Sequence, residues 1–218
     1  MRQKIFGVGL NKTGTTTLCR ALEHLGYSSF HHASVIYPPQ RVERFASRAI
    51  SDGRHPFADL RGLMRFDAYF DIRVIERQFE EFDRWFPGSK FILHTRNFDD
   101  WMRSRMKHVH RNEGSRVRNW QDIDADDWER LWREQHERVR RYFSDRPDDL
   151  LEIDVPAGDG WEKLAPFLGA DVPAVPFPRL NVEGSGTREA PSRNRRARVV
   201  RGVGRSLRDS LWQLRTPR

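Results

Sequence analysis

Residues 4–25 read KIFGVGLNKTGTTTLCRALEHL, and the first half of that stretch differs in kind from the second. Residues 4–10 form a short apolar run rich in strand formers, which predicts a buried strand. From residue 15 to 25, Leu18, Leu22 and Leu25 recur at helical spacing and run into Gly26, which predicts an amphipathic helix with a glycine stop. Between them lies Gly9-Leu10-Asn11-Lys12-Thr13-Gly14-Thr15-Thr16-Thr17. A loop joining a strand to a helix turns successive backbone N–H groups into one concavity, and the helix dipole adds to their positive end, so the geometry binds anions. Gly14 permits close approach of the backbone, Lys12 adds a full charge, and Thr15, Thr16 and Thr17 add hydroxyl donors.

Two common phosphate loops do not fit. The nucleoside triphosphate loop G-x-x-x-x-G-K-[ST] finds Gly9 and Gly14 at the right spacing, but Thr15 stands where its Lys belongs. The dinucleotide fingerprint G-x-G-x-x-G fails because Lys12 occupies its third glycine position. The charge has moved to two residues before the second glycine.

The same strand-then-helix grammar recurs further on. Residues 90–95 (KFILHT) predict a second buried strand, and residues 99–108 a helix, with Arg96 at the strand exit and Ser104 eight residues later. An Arg at a strand exit offers a planar fork to phosphate oxygens, and a Ser two turns into the next helix adds a hydroxyl nearby. Elsewhere, residues 38–50 predict a helix with Pro in its first turn, and residues 51–66 mostly loop. Residues 74–86 predict one helix, with Ile75, Phe79, Phe82 and Phe86 as its stripe. Residues 124–143 predict the longest helix, capped by Asp124 or Asp126, with Trp128, Leu131, Trp132, Val139 and Phe143 on one face. Residues 150–155 predict a third strand, residues 159–168 a helix capped by Asp159 and stopped at Gly169, and residues 172–178 a Pro-rich extended segment. Strands alternating with helices imply an α/β fold, a three-layer P-loop-like domain with a central, mainly parallel sheet flanked by helices. In such a sheet ligands sit at the carboxyl ends of the strands, where the loops after Leu10 and Thr95 lie.

Lys12-Thr13-Gly14-Thr15-Thr16 resembles the 5′-phosphosulfate loop K-[ST]-G-T-[TS] of sulfotransferases. Arg96 and Ser104 resemble that family's second signature, which holds the 3′-phosphate of the donor. Residues 67–85 with the following PGSKFI, and residues 150–181 with GDGWEKLAPFLG and PFPRLN, are similar to a bacterial branch of the family, so the likeness covers about residues 3–182. Asn97-Phe98 departs from the Asp-Pro of that branch, and no Arg-Lys-Gly element completes the 3′-phosphate site. The resemblance implies 3′-phosphoadenosine 5′-phosphosulfate as co-substrate, held by Lys12, Thr13, Gly14, Thr15, Thr16, Thr17, Arg96 and Ser104, with Lys12 also stabilising the leaving phosphate. It implies no metal, and an acceptor drawn from small molecules or glycans. Acceptor contacts are expected from residues 28–66 and 107–122. A hydroxyl acceptor needs a general base, for which Asp71 is the first candidate and Asp67 the second; either could instead cap a helix starting near Arg73. His94 reads as a packed strand residue, and His31-His32 as a poor metal pair because neighbours in an extended chain point apart.

Two other readings of the loop stay open. One is a P-loop kinase or hydrolase, which requires Mg²⁺-dependent ATP binding; the other is a catalytically degenerate binding protein on the same fold.

Composition bounds the rest. The chain has 218 residues and only 37% hydrophobic residues, but seven Trp and fourteen Phe supply enough buried area for one full core. A single cysteine, Cys19, excludes an intramolecular disulfide. No apolar run reaches transmembrane length, and the N-terminal run is too short for a secretory core, so a cytoplasmic setting is expected. Of the net charge of +8, residues 183–218 carry all but one unit, with ten Arg against Glu183, Glu189 and Asp209. The chain therefore divides at 1–182, a folded domain, and 183–218, a basic flexible tail in which residues 199–214 predict a basic amphipathic helix. Such a tail could make weak contact with a membrane surface, and charge confined to it gives no ground for specific nucleic-acid binding by the folded body.

Overall fold

The computed structural model describes residues 3–32, 37–111 and 125–180; the basic tail lies outside them. Residues Met1–Arg179 form one compact unit. The elements run β1 (Ile5–Gly7), α1 (Thr15–His24), β2 (Ser29–His31), α2 (Pro39–Ser51), β3 (Ala68–Phe70), α3 (Arg73–Arg77), α4 (Phe79–Trp85), β4 (Lys90–His94), α5 (Phe98–Arg111), α6 (Ala125–Tyr142), β5 (Leu150–Ile153) and α7 (Trp161–Phe167). The five strands make one sheet in the order β2-β3-β1-β4-β5, and all four neighbouring pairs are parallel.

Alternation along the strands builds the layers. Phe6, Tyr69, Phe91 and Leu93 face one side and meet Val42 and Ala46 of α2, Val74 and Ile75 of α3, Phe79 and Phe82 of α4, and Val139 of α6. Ile5, Ala68, Phe70 and Ile92 face the other and meet Leu18 and Leu22 of α1 and Trp161 and Leu164 of α7. A sheet covered on both faces favours apolar residues along its central strands, and β1 and β3 are buried at every position, whereas the edge strands β2 and β5 carry Ser29, His31 and Glu152. No helix among the described residues is long and apolar enough to cross a membrane.

Five expectations are corrected. Two strands, β2 and β3, went unforeseen because each is three residues long and has no period of its own. The helix expected over 74–86 is broken at Gln78, which ends α3 and starts α4. The break frees the Glu76 carbonyl, which accepts hydrogen bonds from Gln135 Nε2 at 2.8 Å and Arg138 Nη2 at 2.8 Å, both on α6. Asp159 does not cap α7; Gly160 holds that position, and the Asp159 carboxylate instead accepts from the Asp154 N–H at 2.7 Å and from Lys163 Nζ at 2.7 Å. On α6, Leu131 is 40% exposed while Trp128, Val139 and Phe143 are buried, so the apolar face is narrower than its pattern; Asp126 lies inside the first turn of that helix, not ahead of it.

Chain direction fixes where a ligand can sit. From β1 the chain turns outward to β2 on one side, and from β4 it leaves for β5 on the other. Connections diverge between the adjacent strands β1 and β4, which opens a crevice at their carboxyl ends. The loop 8–14 and Arg96 are the two segments that leave those strand ends.

Candidate active site

The loop after β1 is held open by left-handed backbone at Lys12, with φ 68°, and at Gly14, with φ 89°, which caps α1 without a side-chain hydrogen bond. A Cβ on Gly14 would stand 3.2 Å from Val155 Cβ, so both the backbone angle and the neighbour after β5 favour glycine. A Cβ on Gly9 would stand 1.9 Å from the His94 carbonyl oxygen, which shows how closely β1 and β4 run where the crevice begins. The first intrahelical bond is Leu18 N–H to the Gly14 carbonyl at 3.0 Å. The N–H groups ahead of it sit at the helix start, where no preceding turn supplies acceptors.

The Thr13 side chain is fully buried. Its Oγ1 donates to the Leu10 carbonyl at 2.6 Å and lies 2.7 Å from His94 Nδ1, which therefore donates to it. Burial drives the His94 imidazole down to about 3, so it is neutral and serves as a brace between β4 and the loop. Thr17 is buried as well, and Thr16 is partly exposed. Thr15 Oγ1 lies 3.0 Å from His31 Nε2, which ties the end of β2 to the start of α1.

Arg96 converges on the same loop. Its Nη1 donates to the Lys12 carbonyl at 3.4 Å, and its Nε is buried without a hydrogen-bond partner. Ser104 lies partly exposed on α5. One helical turn further along α5, His108 Nδ1 stands 3.5 Å from Lys12 Nζ, which places α5 beside the loop's charge. Trp101, fully buried, donates from Nε1 to the Asn11 carbonyl at 2.9 Å. Lys12, Arg96 and the helix carrying Ser104 thus come together beside the carboxyl ends of β1 and β4.

The two carboxylates separate. Asp67 precedes β3 at the amino edge of the sheet, where its Oδ2 accepts from Ser28 N–H at 2.8 Å and Ser28 Oγ at 2.7 Å; it is a structural clasp, which corrects its candidacy as a base. Asp71 follows β3 at the carboxyl edge. Neither caps α3: its N-cap is Ile72, and Val74 N–H donates instead to Glu43 Oε1 of α2 at 3.1 Å. Asp71 and His32 share a small cavity of about 40 Å³ with Asn11, Pro39, Val42, Glu43, Ile72 and Arg73. Asn11 is the residue before Lys12, so this cavity opens beside the loop. Pro39, Val42 and Glu43 come from the segment 28–66 expected to contact an acceptor; most of 107–122 lies outside the described residues.

Supporting residues on α6 had no sequence signal. Gln135 Nε2 donates to the Val8 carbonyl at 2.8 Å as well as to Glu76. His136 Nδ1 donates to the Trp132 carbonyl at 2.6 Å, leaving Nε2 to accept from Thr95 Oγ1 at 2.7 Å, one residue before Arg96. Both read in sequence as members of a charged helix; only their burial singles them out.

In fold the chain is similar to a sulfotransferase from Alicyclobacillus acidocaldarius, with a TM-score of 0.54 and 17% identity over 84% of this chain and 87% of that one. No curated protein sequence matches it. The sulfotransferase domain family matches residues 4–128 and 116–185, overlapping segments that take in both strand exits, Lys12 and Arg96. With most of its length accounted for in this way, the chain belongs to the sulfotransferase family.

Proposed function

We propose that this sulfotransferase draws its sulfuryl group from 3′-phosphoadenosine 5′-phosphosulfate and delivers it to a hydroxyl or amine of a small molecule or glycan. The observation that carries the reading is the convergence of Arg96 on the carbonyl of Lys12, which gathers a guanidinium, an ammonium and a helix start around one crevice. The residues suit a ligand with two phosphate groups: the buried Arg96 Nε awaits an acceptor, and the backbone at the start of α1 offers donors. When bound, the donor supplies the sulfuryl group and departs as 3′,5′-diphosphoadenosine.

Lys12 and the N–H groups from Gly14 to Thr17 stabilise negative charge growing on the 5′-phosphate as the S–O bond lengthens, while Thr15 and Thr16 add hydroxyl donors at its rim. Arg96 and Ser104 grip the 3′-phosphate and set the donor's register along the crevice. The proton-accepting centre on the acceptor side is built around Asp71.

Calorimetric titration is the test. 3′,5′-Diphosphoadenosine should bind without a divalent cation and much more tightly than ATP with Mg²⁺. Tight Mg²⁺-dependent ATP binding with no response to 3′,5′-diphosphoadenosine would overturn the reading.

A further inference from the structure

Strands β2 and β3 are parallel neighbours with His31 paired to Phe70, so the residues that follow, His32 and Asp71, leave the sheet level with each other. Both then turn into left-handed backbone, with φ 52° at His32 and φ 57° at Asp71. For residues other than glycine that conformation is uncommon, and it persists where surrounding structure demands it. Two such residues side by side bring His32 Nδ1 to 3.3 Å from Asp71 Oδ2. The His32 side chain is 50% exposed and that of Asp71 only 21%, so the imidazole is the accessible member and the carboxylate its covered support. Since Asp71 occupies Nδ1, the nitrogen left for another molecule is Nε2.

Resting on the sulfotransferase reading above, the geometry points to His32 as the catalytic proton acceptor of the transfer, with Asp71 as the positioning residue that fixes its tautomer and aim. The acceptor oxygen forms the new O–S bond, its proton passes to His32 Nε2, and the S–O bond to the 5′-phosphate of 3′-phosphoadenosine 5′-phosphosulfate breaks with its electron pair on the phosphate. The His32–Asp71 pair sits where this requires, lining the cavity that includes Asn11 of the anion loop. His31, next to it, is anchored on Thr15 at the start of α1.

The charges around the pair favour the same division of labour. The hydrogen bond to Asp71 lifts the His32 imidazole above its ordinary range, against the opposing effect of burial and with help from Glu43. Burial alone would raise the Asp71 carboxyl, but its bond from His32, with the neighbouring His31, outweighs that and holds it below the usual range. Arg73 faces the same cavity. A carboxylate made less basic is a poor proton acceptor near neutrality, whereas an imidazole made more basic is well matched to it.

The test uses the full chain with 3′-phosphoadenosine 5′-phosphosulfate in buffer, where water is the acceptor and release of 3′,5′-diphosphoadenosine is followed against pH. The wild-type rate should rise with pH through one step, and histidine Cε1–H NMR should assign that step to His32. His32→Gln should remove the step and slow release about a hundredfold, with 3′,5′-diphosphoadenosine affinity unchanged. Asp71→Asn should shift the His32 titration, and the rate step with it, to lower pH, which a purely structural carboxylate would not do. A His32→Gln enzyme that keeps both rate and step, with Asp71→Asn losing them, assigns the proton to Asp71 and overturns the proposal alone. So does a wild-type His32 that titrates like free imidazole and is indifferent to Asp71→Asn, whatever the turnover. A wild-type chain that fails to bind 3′,5′-diphosphoadenosine overturns the donor assignment and the proposal with it.

Discussion

Arg96→Ala separates donor recognition from folding more cleanly than any other change in the crevice. The side chain contributes little to the empty protein. Among the described residues its one hydrogen bond, to the Lys12 carbonyl, is 3.4 Å long, and its buried Nε has no partner there. Removing it should cost less than about 1 kcal/mol of stability. Against a 3′-phosphate the same side chain can make charge-assisted bonds worth about 1.5–3 kcal/mol each, in a forked geometry. A loss of about 3 kcal/mol is roughly a hundredfold in Kd. The assay is isothermal titration of wild type and variant with 3′,5′-diphosphoadenosine and, in parallel, with adenosine 5′-phosphate. Arg96→Ala should lose that factor with the first ligand and little with the second, because only the first carries the group Arg96 is assigned to hold. Arg96→Lys should recover part of the loss, since an ammonium restores charge but not the fork. The assignment fails if both ligands weaken equally or if neither weakens.

Lys12→Ala should slow single-turnover sulfuryl transfer by about 10²–10³-fold while 3′,5′-diphosphoadenosine affinity falls far less, because charge builds on the 5′-phosphate chiefly in the transition state. Gln135→Ala removes the bonds that join α6 to the Val8 and Glu76 carbonyls; Arg138 still serves Glu76, so the Val8 carbonyl bears the loss, and thermal melts should show a loss of about 1–3 kcal/mol, or about 3–10 °C in Tm. Burial, reinforced by Asp71 and Glu43, raises the Glu76 carboxyl to about 8. In the unfolded chain the group ionises from its ordinary range upward, whereas in the folded chain it stays protonated until about 8. Its contribution to stability is therefore full at low pH and lost as pH rises through that window. Glu76→Gln, neutral throughout, should gain in Tm relative to wild type as pH is raised from 5 to 8, and a constant difference across that range would contradict the assignment.

What could be read from the sequence was what lay contiguous in it. The anion loop declares itself because strand, turn and helix follow one another within residues 4–25, and the same holds for β4, Arg96 and α5. β2 and β3 did not, since SFH and AYF are too short for periodicity and become strands only through pairing with residues about forty positions away. His32 illustrates the consequence. In an extended chain it reads as one of two adjacent imidazoles pointing apart, and so it and His31 do: one reaches Thr15, the other Asp71. What makes His32 chemically distinct is the carboxylate 39 residues later, which the parallel register of β2 and β3 brings alongside. Asp67 and Asp71 look equivalent in DAYFD, yet one strand length separates them, and in a parallel sheet that is the difference between the amino edge and the carboxyl edge, where the proposed chemistry lies. Residues that bind through a local backbone cradle are thus visible before folding. Residues that move protons depend on which strand exits become neighbours, and acquire their chemistry only when the sheet is assembled.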